Sequence, residues 1–106
     1  MDRKELVKKL REFAKKIEKK HNVERIILFG SRARVKKEED EESDVDLIIV
    51  GKFKDKTNLK RAPPFYLEWT IDLPVDFLCY TPEEFEMLKK KVSIIKDALT
   101  RGVIIK

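Results

Sequence analysis

Apolar positions recur at two different spacings along these 106 residues, and the switches between them predict the elements. Over residues 2–20, Leu6, Val7, Leu10, Phe13, Ala14 and Ile17 fall three or four residues apart. That period predicts a helix with one apolar stripe, read as core packing, and lysines and arginines on the other face. Asp2 and Glu5 fit an N-terminal capping pair. His21-Asn22 closes the helix, where the imidazole meets the negative end of the dipole. Residues 24–29 then predict a buried strand, because Ile26-Ile27-Leu28-Phe29 is too continuous for a half-exposed one. Gly30 ends it, and Ser31 can cap a short helix begun by Arg32, Ala33 and Arg34.

Twelve residues separate Ser31 from Asp44. Most form a polar loop, residues 36–43, with five successive acids at 38–42. Their mutual repulsion predicts a solvated, extended loop. Residues 44–50 predict a second strand, with Asp44 and Asp46 on one face and Val45 and Leu47 on the other. Residues 52–61 read as a basic, turn-rich connection. Pro63-Pro64 can start a helix over residues 65–71, whose Phe65, Tyr66 and Trp69 share a face with Leu73. Residues 74–80 predict a third strand, interrupted by Asp76. Thr81-Pro82-Glu83-Glu84 is a strong helix start. Phe85, Leu88, Val92, Ile95 and Leu99 continue it, as one helix to residue 100 or as two broken near Ser93. Arg101-Gly102 stops it, and residues 103–105 make a short last strand or an extended tail. The sum is one α+β domain over residues 1–106, a mixed sheet of three to four strands packed against helices.

Composition adds limits. Charged residues are 42% of the chain, against roughly 25% in ordinary soluble domains. With Lys and Glu abundant and Gln absent, this suggests the ion-pair-laced surface of thermophile proteins. The net charge of +5 is a small difference between 25 basic and 20 acidic residues. Its first reading is a solvated, salt-bridged surface, and its functional one is attraction to polyphosphates or nucleic acid, though the lysines are spread along the chain and no recognition motif points to nucleic acid. The lone Cys79 excludes an internal disulfide and a cysteine-rich zinc site, and its apolar run predicts a buried, inert thiol. One histidine, His21, is too little for a metal site or a triad. No apolar stretch reaches the length of a membrane span and no signal peptide is visible, so a cytoplasmic protein is expected.

The chemistry concentrates at the two ends of residues 29–50. A Gly-Ser turn after a buried strand offers a hydroxyl and backbone N–H groups to one point, which suits phosphate oxygens. Arg32 and Arg34 would add fixed positive charge that can fork onto phosphate. Asp44 and Asp46 give two carboxylates on one strand face, and Asp76 can supply a third from a neighbouring strand. Aspartate is depleted in strands, and its unpaired burial is costly. Three in two short strands therefore suggest a divalent-metal site, Mg²⁺ being held by one or two carboxylates plus phosphates.

Gly30-Ser31, the twelve-residue gap, Asp44-Val45-Asp46 and Asp76 in Val-Asp-Phe together resemble the DNA polymerase β nucleotidyltransferase superfamily. The similarity is nearest to its minimal nucleotidyltransferases and spans nearly the whole chain. The resemblance implies a small α+β fold, ATP as substrate and Mg²⁺ as cofactor, two ions in number. It implies metal ligation by Asp44 and Asp46, with Asp76 helping to activate the acceptor hydroxyl. Two departures bear on the nucleotide pocket: Val35 stands where the family often has glycine, and the loop before Asp44 is long and acidic. Many minimal nucleotidyltransferases resemble antitoxins that transfer AMP to a tyrosine of a helical HEPN-type partner. Others look like halves of aminoglycoside nucleotidyltransferases. A partner protein or a homodimer is therefore expected to complete the acceptor site. The competing expectations are a contact-only antitoxin and a nucleic-acid binder.

Overall fold

A computed structural model of the chain describes residues 1–33, 44–91 and 93–106. Arg34, Val35 and the acidic loop lie outside the described residues. The first helix, α1 (Arg3–Glu18), is capped by Asp2, whose carboxylate accepts the Glu5 N–H at 2.8 Å. It ends two residues sooner than expected. His21 donates its backbone N–H to the Ile17 carbonyl, and its ring lies 5.1 Å from that of Phe65.

The strands are β1 (Val23–Phe29), β2 (Val45–Gly51), β3 (Val75–Tyr80) and β4 (Val103–Ile104). They form one mixed sheet in the order β3-β2-β1-β4. β1 runs antiparallel to β2 and β4, while β2 and β3 are parallel. The parallel step needs a crossover, which carries α2 (Asn58–Arg61) and α3 (Pro63–Glu68). β3 is followed by α4 (Pro82–Lys91) and α5 (Ser93–Arg101), with Val92 outside the described residues. Among the described residues no helix is long and apolar enough to cross a membrane.

Both sheet faces are covered, which explains the unbroken apolar runs of β1 and β2. On one face Leu6, Leu10, Phe13 and Ile17 of α1 pack with Phe65, Leu47, Ile49 and Phe77. On the other, Ile27, Phe29, Ile48 and Val50 pack with Phe85, Ile95 and Ala98 of the last two helices. Phe77 is ringed by Phe13, Phe65, Tyr66 and Trp69, with centroids 4.8–5.9 Å away. The expected aromatic face is therefore present, but its helix stops at Glu68. Trp69 turns extended, its Nε1 donates to the Leu73 carbonyl at 2.8 Å, and its ring enters the core edge-on to Phe13. A buried indole needs a partner for its N–H, and here the extended backbone supplies it.

The helix α2 falls where a turn-rich connection is expected. It has no apolar period, and Thr57 makes no side-chain cap. Its role is along the outer edge of β3, which no strand covers among the described residues. The Asn58 side chain donates to the Phe77 carbonyl at 2.9 Å and accepts the Cys79 N–H at 2.7 Å. Arg61 donates to the Cys79 carbonyl at 3.2 Å, and the Tyr66 hydroxyl accepts the Phe77 N–H at 3.4 Å. Three side chains thus stand in for a missing strand and block edge-to-edge pairing. Arg61 is only 7% exposed and also donates to the Asp55 carbonyl and to Glu84. Glu84 in turn closes the expected capping box, accepting the Thr81 N–H while Thr81 Oγ1 accepts the Glu84 N–H.

Candidate active site

The site is built at the end of the sheet where β1 stops and β2 and β3 begin. Alternation along β2 puts Asp44 and Asp46 on the face that carries Ile48 and Val50. The same rule puts Asp76 with Leu78 and Tyr80. The last two helices cover the apolar members of this face. Asp46 is half-buried, and Asp44 and Asp76 are exposed. In the ladder Phe29 pairs with Asp46, and Asp46 with Asp76. The parallel register of β2 and β3 therefore sets two carboxylates side by side, with Asp44 two residues before them.

That placement has an electrostatic consequence. Burial, then the like charges of Asp76 and Asp44, push the Asp46 carboxyl above its ordinary range. A divalent cation would relieve this repulsion, and oxygen-only donors are what Mg²⁺ takes. The donor chemistry therefore fits the ion. Among the described residues no three His, Cys, Asp or Glu side chains stand close enough to form a ready-made metal cluster. The three aspartates share a face and a field without forming such a cluster.

Gly30 turns the chain after β1 with φ of 73°, a conformation side chains rarely adopt. A Cβ there would lie 2.6 Å from Asp46 Oδ2. Only glycine lets the backbone pass this close to the carboxylate. The turn continues through a 3-10 stretch, Ser31–Ala33, whose Ala33 N–H donates to the Gly30 carbonyl at 3.2 Å. Thus the Gly30 turn passes beside the Asp46 carboxylate, and Ser31 follows it in the chain.

Arg32 is placed differently from that expectation. The Arg32 side chain is 7% exposed and donates to the Met1 carbonyl at 3.5 Å, so it lies toward the start of α1. Arg34 lies outside the described residues. Arg3, which no spacing in the sequence singles out, donates from Nε to the Ala33 carbonyl at 3.0 Å and ties the turn to α1. Its partner is thirty residues away, so no local signal could have revealed it. Cys79 is buried on the opposite face, and burial pushes its thiol up to about 12, so it stays protonated and inert.

No curated protein matches the chain. The family model for a nucleotidyltransferase domain matches residues 7–104, a stretch that takes in the Gly30 turn and all three aspartates. With nearly its whole length matched, and with a mixed α+β sheet that sets Asp46 beside Asp76 at the foot of that turn, the chain belongs to the nucleotidyltransferase domain family.

Proposed function

We propose that this nucleotidyltransferase moves AMP from ATP to a hydroxyl, and that the acceptor is a tyrosine or serine of a helical HEPN-type partner. In this reading the chain acts in the cytoplasm as an antitoxin. The observation that carries it is the carboxylate set: Asp46 beside Asp76 in the sheet, its carboxyl raised by burial and then by Asp76 and Asp44, against a glycine turn with no room for a side chain. Asp44 and Asp46, with Asp76, would hold Mg²⁺, which supplies charge neutralisation at the attacking and leaving oxygens when bound. The turn at Gly30 and Ser31 takes the outer phosphates. The acceptor oxygen attacks the α-phosphorus, the bond to the bridging oxygen breaks, and pyrophosphate leaves. Asp76, exposed at the rim, takes the hydroxyl proton.

Incubation with ATP labelled at the α-phosphate, Mg²⁺ and a HEPN-type partner should label that partner. Equal labelling by the Asp44→Asn, Asp46→Asn double variant would overturn the assignment. A contact-only antitoxin is the second reading. It is favoured by two leucines on the crossover helices, Leu59 and Leu67, which are 85% and 86% exposed. Full neutralisation of the partner by the double variant would select it.

A further inference from the structure

A second charged surface lies on α1, apart from the aspartates. A shallow groove of about 720 Å³ is lined by Arg3, Lys4, Val7, Lys8, Arg11, Glu12, Lys15 and Val103. Val7 and Val103 are half-buried at its floor, and the five cationic side chains are exposed. Lys4, Lys8, Arg11 and Lys15 follow one another at four, three and four residues, a single line along one helix face. At 1.5 Å per residue the line is about 17 Å long, with steps of about 5–6 Å.

These cations are not spent on internal pairing. Lys16 and Lys20 pair with Glu68, Lys89 with Glu86 and Lys106 with Glu18. Among the described residues Lys4, Lys8, Arg11 and Lys15 form no ion pair, and Glu12 is the one acid in the groove.

We infer that this groove binds the backbone of a single-stranded polynucleotide, without reading its sequence. The line of cations sets four positive charges in a row, which suits the successive phosphates of an extended strand. A protein partner fits the groove less well. Protein interfaces deplete lysine and want aromatic or large aliphatic anchors at their centre. Here the floor offers two valines, while the exposed Leu59, Leu67, Met87 and Ile94 all lie on other elements. Arg3, which also holds the Ala33 carbonyl, joins one end of the groove to the Gly30 turn. A bound strand would therefore run toward the nucleotide end of the molecule, yet its binding does not depend on the transfer reaction.

The test is fluorescence anisotropy of a labelled twelve-residue oligouridylate with the intact chain. With three to four phosphates neutralised, affinity should fall roughly 20- to 50-fold between 50 and 200 mM salt. The Lys8→Glu, Arg11→Glu double variant should lose at least tenfold in affinity at low salt, and Lys8→Ala with Arg11→Ala should lose less. Circular dichroism melting checks that each stays folded. Lys54→Glu with Lys60→Glu makes the same net charge change beside another basic concavity, and should leave affinity within about threefold. No binding at 50 mM salt would overturn the inference. So would equal losses in the two charge-reversed variants, or tighter binding of a duplex or a polyglutamate peptide than of the oligouridylate. Asp44→Asn with Asp46→Asn should bind the strand as the parent does, so this result stands apart from any failure of the proposed transfer reaction.

Discussion

Gly30 and Asp46 put opposite demands on the same small volume. The positive φ at Gly30 and the 2.6 Å approach to Asp46 Oδ2 leave no room for a methyl group. Gly30→Ala should therefore destabilise by about 1–2 kcal/mol through backbone strain. It should also cut nucleotidyl transfer at least a hundredfold, because either the turn or the carboxylate must move. Chemical denaturation and a transfer assay read the two effects separately. Asp46→Asn should separate them the other way. It removes a half-buried charge that its neighbours repel, so the metal-free variant, assayed in EDTA, should melt no lower than the parent while transfer is lost. A variant that melts well below the parent would mean that Asp46 supports the fold rather than strains it.

What could be read in advance depended on how local the cause was. Asp2 as a cap, the Thr81–Glu84 box and the buried runs of β1 and β2 are each written within a few residues, and each is present. Gly30, Ser31 and the three aspartates are spread over 47 residues, yet a family motif tied them together, and the fold gathers them at one sheet end. The misses have distant causes. The helix α2 exists for its contacts with β3, Trp69 leaves its helix to reach the Leu73 carbonyl, and Arg32 turns toward Met1. None of these partners is visible to periodicity. The edge-strand role of α2 is testable. Asn58→Ala removes a donor and an acceptor from two backbone groups and should cost about 2 kcal/mol, with faster aggregation near the midpoint. Urea unfolding and light scattering measure both.

Glu84 links the same helix to α4, and its pH dependence has a definite sign. The hydrogen bond from Arg61, then that from the Thr81 N–H, hold its carboxyl below the ordinary 4.5. A depressed folded value stabilises above the unfolded value, and the gain is lost as pH falls through the folded one. Glu84→Gln should thus lower stability at pH 7 and converge with the parent in acid below the ordinary value. The side chain is 42% exposed, so solvent screening holds the difference at neutral pH to about 1 kcal/mol or less. Urea midpoints across pH 2.5–7 would detect it. Divergence toward acid would contradict the ion pair as its source.

For the molecule as a whole, the site and the fold share one free-energy account. The aspartates sit at an exposed sheet end, where burial of the apolar faces by the last two helices gives way to solvent. The protein thus carries like charges there that destabilise it when empty, and any ligand that neutralises them binds only the folded state. Such a ligand stabilises by RT ln(1 + [L]/Kd), about 1.4 kcal/mol at ten times Kd. For a chain of this size that is a rise of about 5 °C in melting temperature. A non-hydrolysable ATP analogue with Mg²⁺ should produce this rise, and EDTA should reverse most of it, because four phosphate charges without a cation meet three carboxylates. Asp44→Asn with Asp46→Asn should show a higher starting temperature and a smaller rise with Mg²⁺. The loss of the metal-dependent part, measured against the same analogue, separates a destroyed site from a destabilised protein. An equal rise in parent and double variant would place the nucleotide elsewhere on the surface, and the lysine-lined groove on α1 would then be the first region to probe.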